Sequence, residues 1–215
     1  SSEGAKEWLS QVPQGFEFCP KVHKDISHAK YGLIDKVTLS YWFSFLEAMK
    51  PNLGPSFIQM HEMFSYAEKG MLFKFLEAWP DEFELTLELR HPSWFEKGKV
   101  IPALTNYLHK RKIGLVMTDV AGRRDVLHSS LSTPWCMIRL IGNDLDPSDK
   151  IRTQMWAKRI QEWKKLGLSR AYVFLHQPDD ILTIEFAKLA QKIFMDAGHE
   201  DVPEFKLQEV QGSLF

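Results

Sequence analysis

The chain has 215 residues, of which 44% are hydrophobic and 26% charged, with a formal net charge of -1. That length suits one domain, and so small a charge provides no global field for nucleic acid or a membrane surface. No apolar run is long enough to span a bilayer, Ser1-Ser2-Glu3-Gly4 carries no signal-peptide pattern, and the start lacks a Met, so an N-terminal part is expected to be missing. Cys19 and Cys136 lie in apolar, strand-like runs, where free buried thiols are expected, and a reducing cytoplasm suits them.

In chain order, Ala5 to Val12 reads as a helix. Strand patterns follow at Phe16 to Val22, Ser56 to His61, Glu84 to Arg90, Gly114 to Asp119, Trp135 to Ile141 and Ala171 to His176. Helical patterns fill most of the gaps. One runs from about Thr38 to Met49 and stops at Pro51; another from Gly70 to Trp79 stops at Pro80. The clearest runs from Ser148 to Leu166, with Ser148 as cap, a stripe of Ile151, Met155, Ile160 and Trp163, and Gly167 at its end. A last helix covers Thr183 to Ala197 before Gly198. Repeated β/α order predicts a parallel sheet with helices outside. The expected fold is a TIM-type (β/α)8 barrel over residues 1–198, with its first two strands absent because six of eight are visible. The competing architecture is an open doubly wound sheet. Residues 199–215 read as a tail.

Strand parity then selects residues, because side chains alternate along a strand and outward ones must meet helices. Leu85, Leu87 and Leu89 share one face, so Glu88 and Arg90 point inward. By the same test Gln59 and His61 oppose Ile58 and Met60, Arg139 opposes Ile138 and Leu140, and His176 opposes Val173 and Leu175. Lys21 shares a face with Cys19, opposite Phe16 and Phe18. Asp119 ends its strand opposite Val116 and Thr118 and is grouped with this polar set. Such groups cost several kcal/mol each if buried singly. They pair with one another as a plug, or they meet a ligand at the carboxyl end of the strands, where barrel active sites lie. The excess of cations predicts a small anionic or polyhydroxylated ligand, gripped by Arg90 and Arg139.

Several segments resemble a known family. These are Phe16-Glu17-Phe18-Cys19-Pro20-Lys21 followed by Lys24-Asp25-Ile26-Ser27-His28, Leu53-Gly54-Pro55-Ser56-Phe57-Ile58-Gln59-Met60, and Glu88-Leu89-Arg90-His91-Pro92-Ser93-Trp94-Phe95, with Asp119, Ile138-Arg139-Leu140-Ile141-Gly142 and Tyr172-Val173-Phe174-Leu175-His176-Gln177. From about Trp8 to Ala197 the chain resembles domain of unknown function 72, the YecE-like proteins. The resemblance implies a TIM-type barrel and no established reaction. The sequence departs from the family pattern at Val22-His23-Lys24, where Pro-Arg is common after the lysine, and near His176, where Asn is common. By position the resemblance marks Lys21, His28, Gln59, Glu88, Arg90, Trp94, Asp119, Arg139 and His176. Trp94 is expected either to stack on a ligand or to anchor its loop. His28 is expected as an acid/base group or a cap.

The chemistry stays open at this stage. Glu88 and Asp119 can act as acid and base, as in a hydrolase or lyase, or each can neutralise an arginine. Lys21 can form a Schiff base if its pKa is depressed, with His176 as a further acid/base group. His61, Glu88, Asp119 and His176 can be weighed as metal ligands, but no HxH or HExxH spacing supports them and the nearby cations oppose a divalent ion, so no metal or other cofactor is assigned. The 122–134 loop is expected as a lid or a solvated connector. Gln211-Gly212-Ser213-Leu214-Phe215 looks like the bacterial sliding-clamp-binding peptide, which opens an alternative: a binding module, or a DNA-metabolism protein recruited to the clamp.

Overall fold

The computed structural model describes residues 2–27 and 36–203; His28 and the Gln211 to Phe215 segment lie outside the described residues. A first helix, α1 (Ser2–Ser10), precedes an extended stretch, and a one-turn α2 (Lys24–Ser27) follows it. Next come α3 (Lys36–Met49), β1 (Ser56–Gln59), α4 (Lys69–Ala78), β2 (Leu85–Glu88), the short β3 (Phe95–Glu96) and β4 (Lys99–Val100), and α5 (Pro102–Lys110). The chain continues through β5 (Gly114–Val120), β6 (Trp135–Ile141), α6 (Pro147–Lys165), β7 (Arg170–His176) and α7 (Thr183–Asp196). Five strands form one sheet in the order β1-β2-β5-β6-β7, every pair parallel. The expected α/β class and parallel sheet are therefore present. The sheet does not close by hydrogen bonds: among the described residues β7 has a strand neighbour on one side only.

The expected strand at Phe16 to Val22 is only partly a strand. It touches the open edge of β1 through parallel bridges at Phe18–Leu53 and Lys21–Phe57. Pro20 has no N–H to give a ladder, which confines it to an edge. Its carbonyl still accepts from Phe57 N at 3.0 Å, and Val22 N donates to the Phe57 carbonyl at 2.9 Å. Lys21 is thereby held at a defined position beside β1.

Alternation explains where the core lies. Ile58, Leu85, Leu87, Leu115, Met117, Ile138 and Leu140 are all buried on the helix-facing side of the sheet. Each such side chain contributes about 1.5–3 kcal/mol on leaving water. The opposite face curls on itself. Phe57 of β1 and Phe174 of β7 stand 6.3 Å apart, centroid to centroid, although three strands separate them in the sheet. At the amino end of the strands the Tyr172 hydroxyl donates to Glu17 at 2.6 Å, Arg170 donates to Tyr172 at 3.0 Å, and Arg170 pairs with Glu84 at 2.6 Å. This chain of contacts joins β7 to the Phe16 to Val22 edge segment and to Glu84 just before β2.

Several local expectations shift. The α6 cap is Asp146, whose carboxylate accepts from Ser148 N at 2.8 Å, with Pro147 opening the helix. In the predicted stripe, Ile160 and Trp163 are buried but Ile151 and Met155 are exposed. The buried face instead carries Asp149, Arg152, Thr153 and Trp156, because polar partners lie opposite it. The β3–β4 hairpin was not anticipated: its two-residue turn uses Lys97 and Gly98 at φ 51 and 72, the signature of a mirror-image turn. The tail begins packed. His199 is 3% exposed and bonds the Ala157 carbonyl at 2.9 Å, and Gln191 reaches the Pro203 carbonyl at 2.7 Å.

Candidate functional site at the carboxyl rim

Register places the inward set. Gln59 pairs with Glu88 across β1 and β2, Thr118 with Arg139 across β5 and β6, and Ile141 with His176 across β6 and β7. Partners in a parallel ladder share a face, so Gln59, Glu88, Thr118, Arg139 and His176 converge at the carboxyl end with Lys21.

Glu88 is the centre of the cluster and is only 1% exposed. Arg139 Nη1 donates to both of its oxygens, at 3.0 and 2.8 Å. Gln59 Nε2 donates to it at 2.8 Å, and the other end of that amide accepts from Lys21 Nζ at 2.9 Å. A row results: Lys21, Gln59, Glu88, Arg139. The Arg139 guanidinium also lies over the Phe57 ring at 5.8 Å, which fixes its plane. Arg139 Nε and Thr118 Oγ1 are buried with no hydrogen-bond partner among the described residues. Arg90 stands at the edge, 34% exposed, with Glu62 at 3.7 Å.

The charges do not balance. Glu88 pairs with Arg139 and Glu62 with Arg90, which among the described residues leaves Lys21 without a carboxylate. Burial, then the nearby Arg139 and Arg90 charges, lower the Lys21 pKa, with Glu88 opposing. Burial and Arg139 likewise lower that of His176, against the pull of Asp180 and Glu88.

Asp119 does not join this set. It pairs in register with Leu140 and lies on the helix-facing side. There it accepts from Arg152 at 3.0 Å and from Trp156 Nε1 at 2.8 Å, and Arg124 also donates to it. Arg152 in turn bonds Asp149 at 2.7 Å, and Asp149 accepts from Asn143 N and from Gln177. The parity reading placed Asp119 one position wrong, since Thr118 is the inward residue. The expected Glu88–Asp119 carboxylate pair is therefore not assembled, and neither is the ligand set drawn from His61, Glu88, Asp119 and His176. Among the described residues no three His, Cys, Asp or Glu side chains stand together as metal ligands.

Trp94 is fully buried and anchors its loop. Its indole N–H donates to the Phe64 carbonyl at 2.7 Å, with Phe64 stacked at 6.0 Å and Tyr66 edge-on at 5.2 Å. His91 and Ser93 complete the turn: Ser93 Oγ lies 2.8 Å from His91 Nδ1 and accepts from Tyr66 N. In the 122–134 loop, Arg123 donates to the Arg90 carbonyl, and His128 is buried. The signal that sequence reasoning missed was Arg152, hidden in a helix read as an apolar stripe.

Fold and rim together define an α/β protein with a parallel sheet and a cationic cluster at its carboxyl edge. A family model, "Protein of unknown function DUF72", matches residues 1–206, and the chain belongs to that family. It is similar to UPF0759 protein YecE of Escherichia coli (strain K12), 29% identical over 191 residues, covering 80% of this chain and 69% of that protein. A crystal structure of a DUF72 family protein from Enterococcus faecalis V583 superposes with a TM-score of 0.72 at 18% identity, covering 90% of this chain and 84% of that one. One from Thermotoga maritima MSB8 gives 0.60 at 19% identity, covering 88% and 79%. These solved structures share the fold.

Proposed function

We propose that the carboxyl rim binds a small anionic ligand, or a polyhydroxylated one bearing an anionic group, and that the protein is an enzyme acting on it. The observation that carries this reading is the charge count around Glu88. Arg139 neutralises that carboxylate and Glu62 pairs with Arg90, so among the described residues Lys21 is the rim cation left without a carboxylate. A ligand oxyanion is the economical partner for Lys21, since the neighbouring Arg139 and Arg90 charges disfavour its own. Arg139 Nε and Thr118 Oγ1, inward and with no hydrogen-bond partner among the described residues, add donors for ligand or bound water. Lys21, Glu88 and His176 are the residues assigned to chemistry; Arg90, Arg139 and Gln59 hold the ligand.

The arc of strands fits a TIM-type barrel over residues 1–198, with two further strands between β7 and the Phe16 to Val22 edge. A groove of about 480 Å³ lies along that gap, lined by Ala171, Val173, Leu175 and Phe194. A cytoplasmic setting accords with two free thiols, both pushed up to about 12, mainly by burial.

Calorimetric titration with inorganic phosphate, citrate and a neutral polyol tests the rim. Saturable binding of an anion is expected, weakened at least ten-fold in Arg139→Gln and unchanged in Lys150→Ala on the exposed side of α6. Equal, weak responses to anion and polyol in all three proteins would remove the proposal.

A further inference from the structure

The rim contains a lysine in an unusual position. Lys21 makes one side-chain hydrogen bond, to the neutral amide oxygen of Gln59, and among the described residues no carboxylate lies within ion-pair reach of it. The carboxylate that might have served, Glu88, is occupied by both Arg139 and Gln59. The charged groups that act on Lys21 are Arg139 from β6 and Arg90 beyond β2, opposed by Glu88 of β2. His176 of β7 lies close enough that the Lys21 charge bears on its imidazole. The backbone of the edge segment is pinned to β1 on both sides of Lys21, and the exposed side chain is directed to the Gln59 amide by its one hydrogen bond.

We propose that Lys21 is a nucleophilic amine that forms an imine with a carbonyl compound carrying an acidic group, such as a 2-oxo acid. The inference rests on the anion-binding reading of the rim and names the substrate class within it. Burial favours the neutral amine, the form that attacks; the nearby Arg139 and Arg90 charges act the same way, against Glu88. They also recruit the ligand's anion, which places the carbonyl near Nζ. The nitrogen lone pair attacks the carbonyl carbon, and the C=O π electrons move to oxygen. A proton passes from nitrogen to that oxygen, giving a carbinolamine. The C–O bond then breaks, water leaves, and the nitrogen lone pair forms C=N. The sum is amine plus carbonyl giving imine plus water. His176, on the inward face of β7 and with its pKa lowered by burial and Arg139, is the group assigned to carry the proton from nitrogen to the departing oxygen.

The full chain is incubated with glyoxylate or pyruvate and sodium cyanoborohydride at pH 7, and adducts are mapped by peptide mass spectrometry. Lys21 is expected to be labelled at least ten-fold faster than the exposed Lys24, Lys69 and Lys150. Excess phosphate should slow that labelling and leave the surface lysines unchanged. Lys21→Arg, which keeps the charge, should lose the fast adduct while retaining its circular dichroism. In the unaltered protein, reductive methylation of Lys21 should keep its rate at a pH where that of the surface lysines falls. Labelling of Lys21 no faster than the surface lysines, with an ordinary pH dependence, overturns the proposal. If phosphate still binds calorimetrically in that case, the imine chemistry fails alone; if it does not, the anion site fails as well.

Discussion

His128 shows how far burial alone can move a side chain's chemistry. It is 4% exposed, and its Nε2–H donates to the Val116 carbonyl at 3.1 Å while Nδ1 accepts from Ser130 N at 3.2 Å. Both ring nitrogens are used by the neutral form, and burial holds the pKa down to about 4. The unfolded chain, with an ordinary histidine near 6.5, binds more protons between those two values, so stability falls as pH drops through that window. The loss between pH 7 and pH 5 should be about 2 kcal/mol. Urea denaturation at both pH values should show that loss in the native sequence, and His128→Gln should remove most of the difference. An unchanged difference would mean that another group carries the acid sensitivity. Glu88 teaches the complementary lesson: three hydrogen bonds hold it as an acceptor, so its first service is to fix Arg139 and Gln59.

At the scale of elements, α6 is tied to the sheet by polar contacts as much as by packing. Arg152 bridges Asp119 of β5 and Asp149 of its own helix, with all three side chains almost fully buried. Replacing it with Met would leave two buried carboxylates without their common cation, at a cost of about 3–5 kcal/mol. Chemical denaturation should show that loss, while Lys150→Ala on the same helix should change stability by no more than about 0.5 kcal/mol. Close approach sets a second constraint. A Cβ on Gly114 would stand 2.6 Å from the Trp135 ring, so Gly114→Ala should cost about 1–3 kcal/mol by the same measurement. These two features mark the boundary of what the sequence discloses. Leu85, Leu87 and Leu89 declare their face because polar residues separate them. Gly114 to Val120 carries apolar residues on both faces, so nothing local says which way Asp119 turns, and its partner Arg152 is distant in sequence. The rim residues Gln59, Glu88, Arg139 and His176 were legible because each stands alone against an apolar face. Trp94 was not, since burial against Phe64 depends on how two loops meet. The two-residue strands of the β3–β4 hairpin are too short to leave a periodic trace.

At the scale of the molecule, the open edge of β7 governs exposure. The His176 carbonyl accepts from Gly142 N on the β6 side, and the N–H and C=O of one strand residue point the same way. The Tyr172 and Phe174 amides therefore face β6, and those of Val173 and Leu175 face the side where no strand is described. Hydrogen exchange should find the first pair protected and the second pair fast. Equal protection would mean that some further strand, from this chain or another copy, covers that edge.

The contact between Glu17 and Tyr172 has a consequence for how the chain is made. These residues lie 155 positions apart. At ribosomal rates of about 5–20 residues per second, Glu17 is exposed roughly 8–30 s before its partner is synthesised. Through that interval the first segment packs on Trp8 of α1 and on β1, and the Glu17 carboxylate waits for its Tyr172 hydroxyl. The latch at the amino end is a late event in assembly. Until the last strand arrives, Glu17 stands open to solvent at the amino end of the sheet.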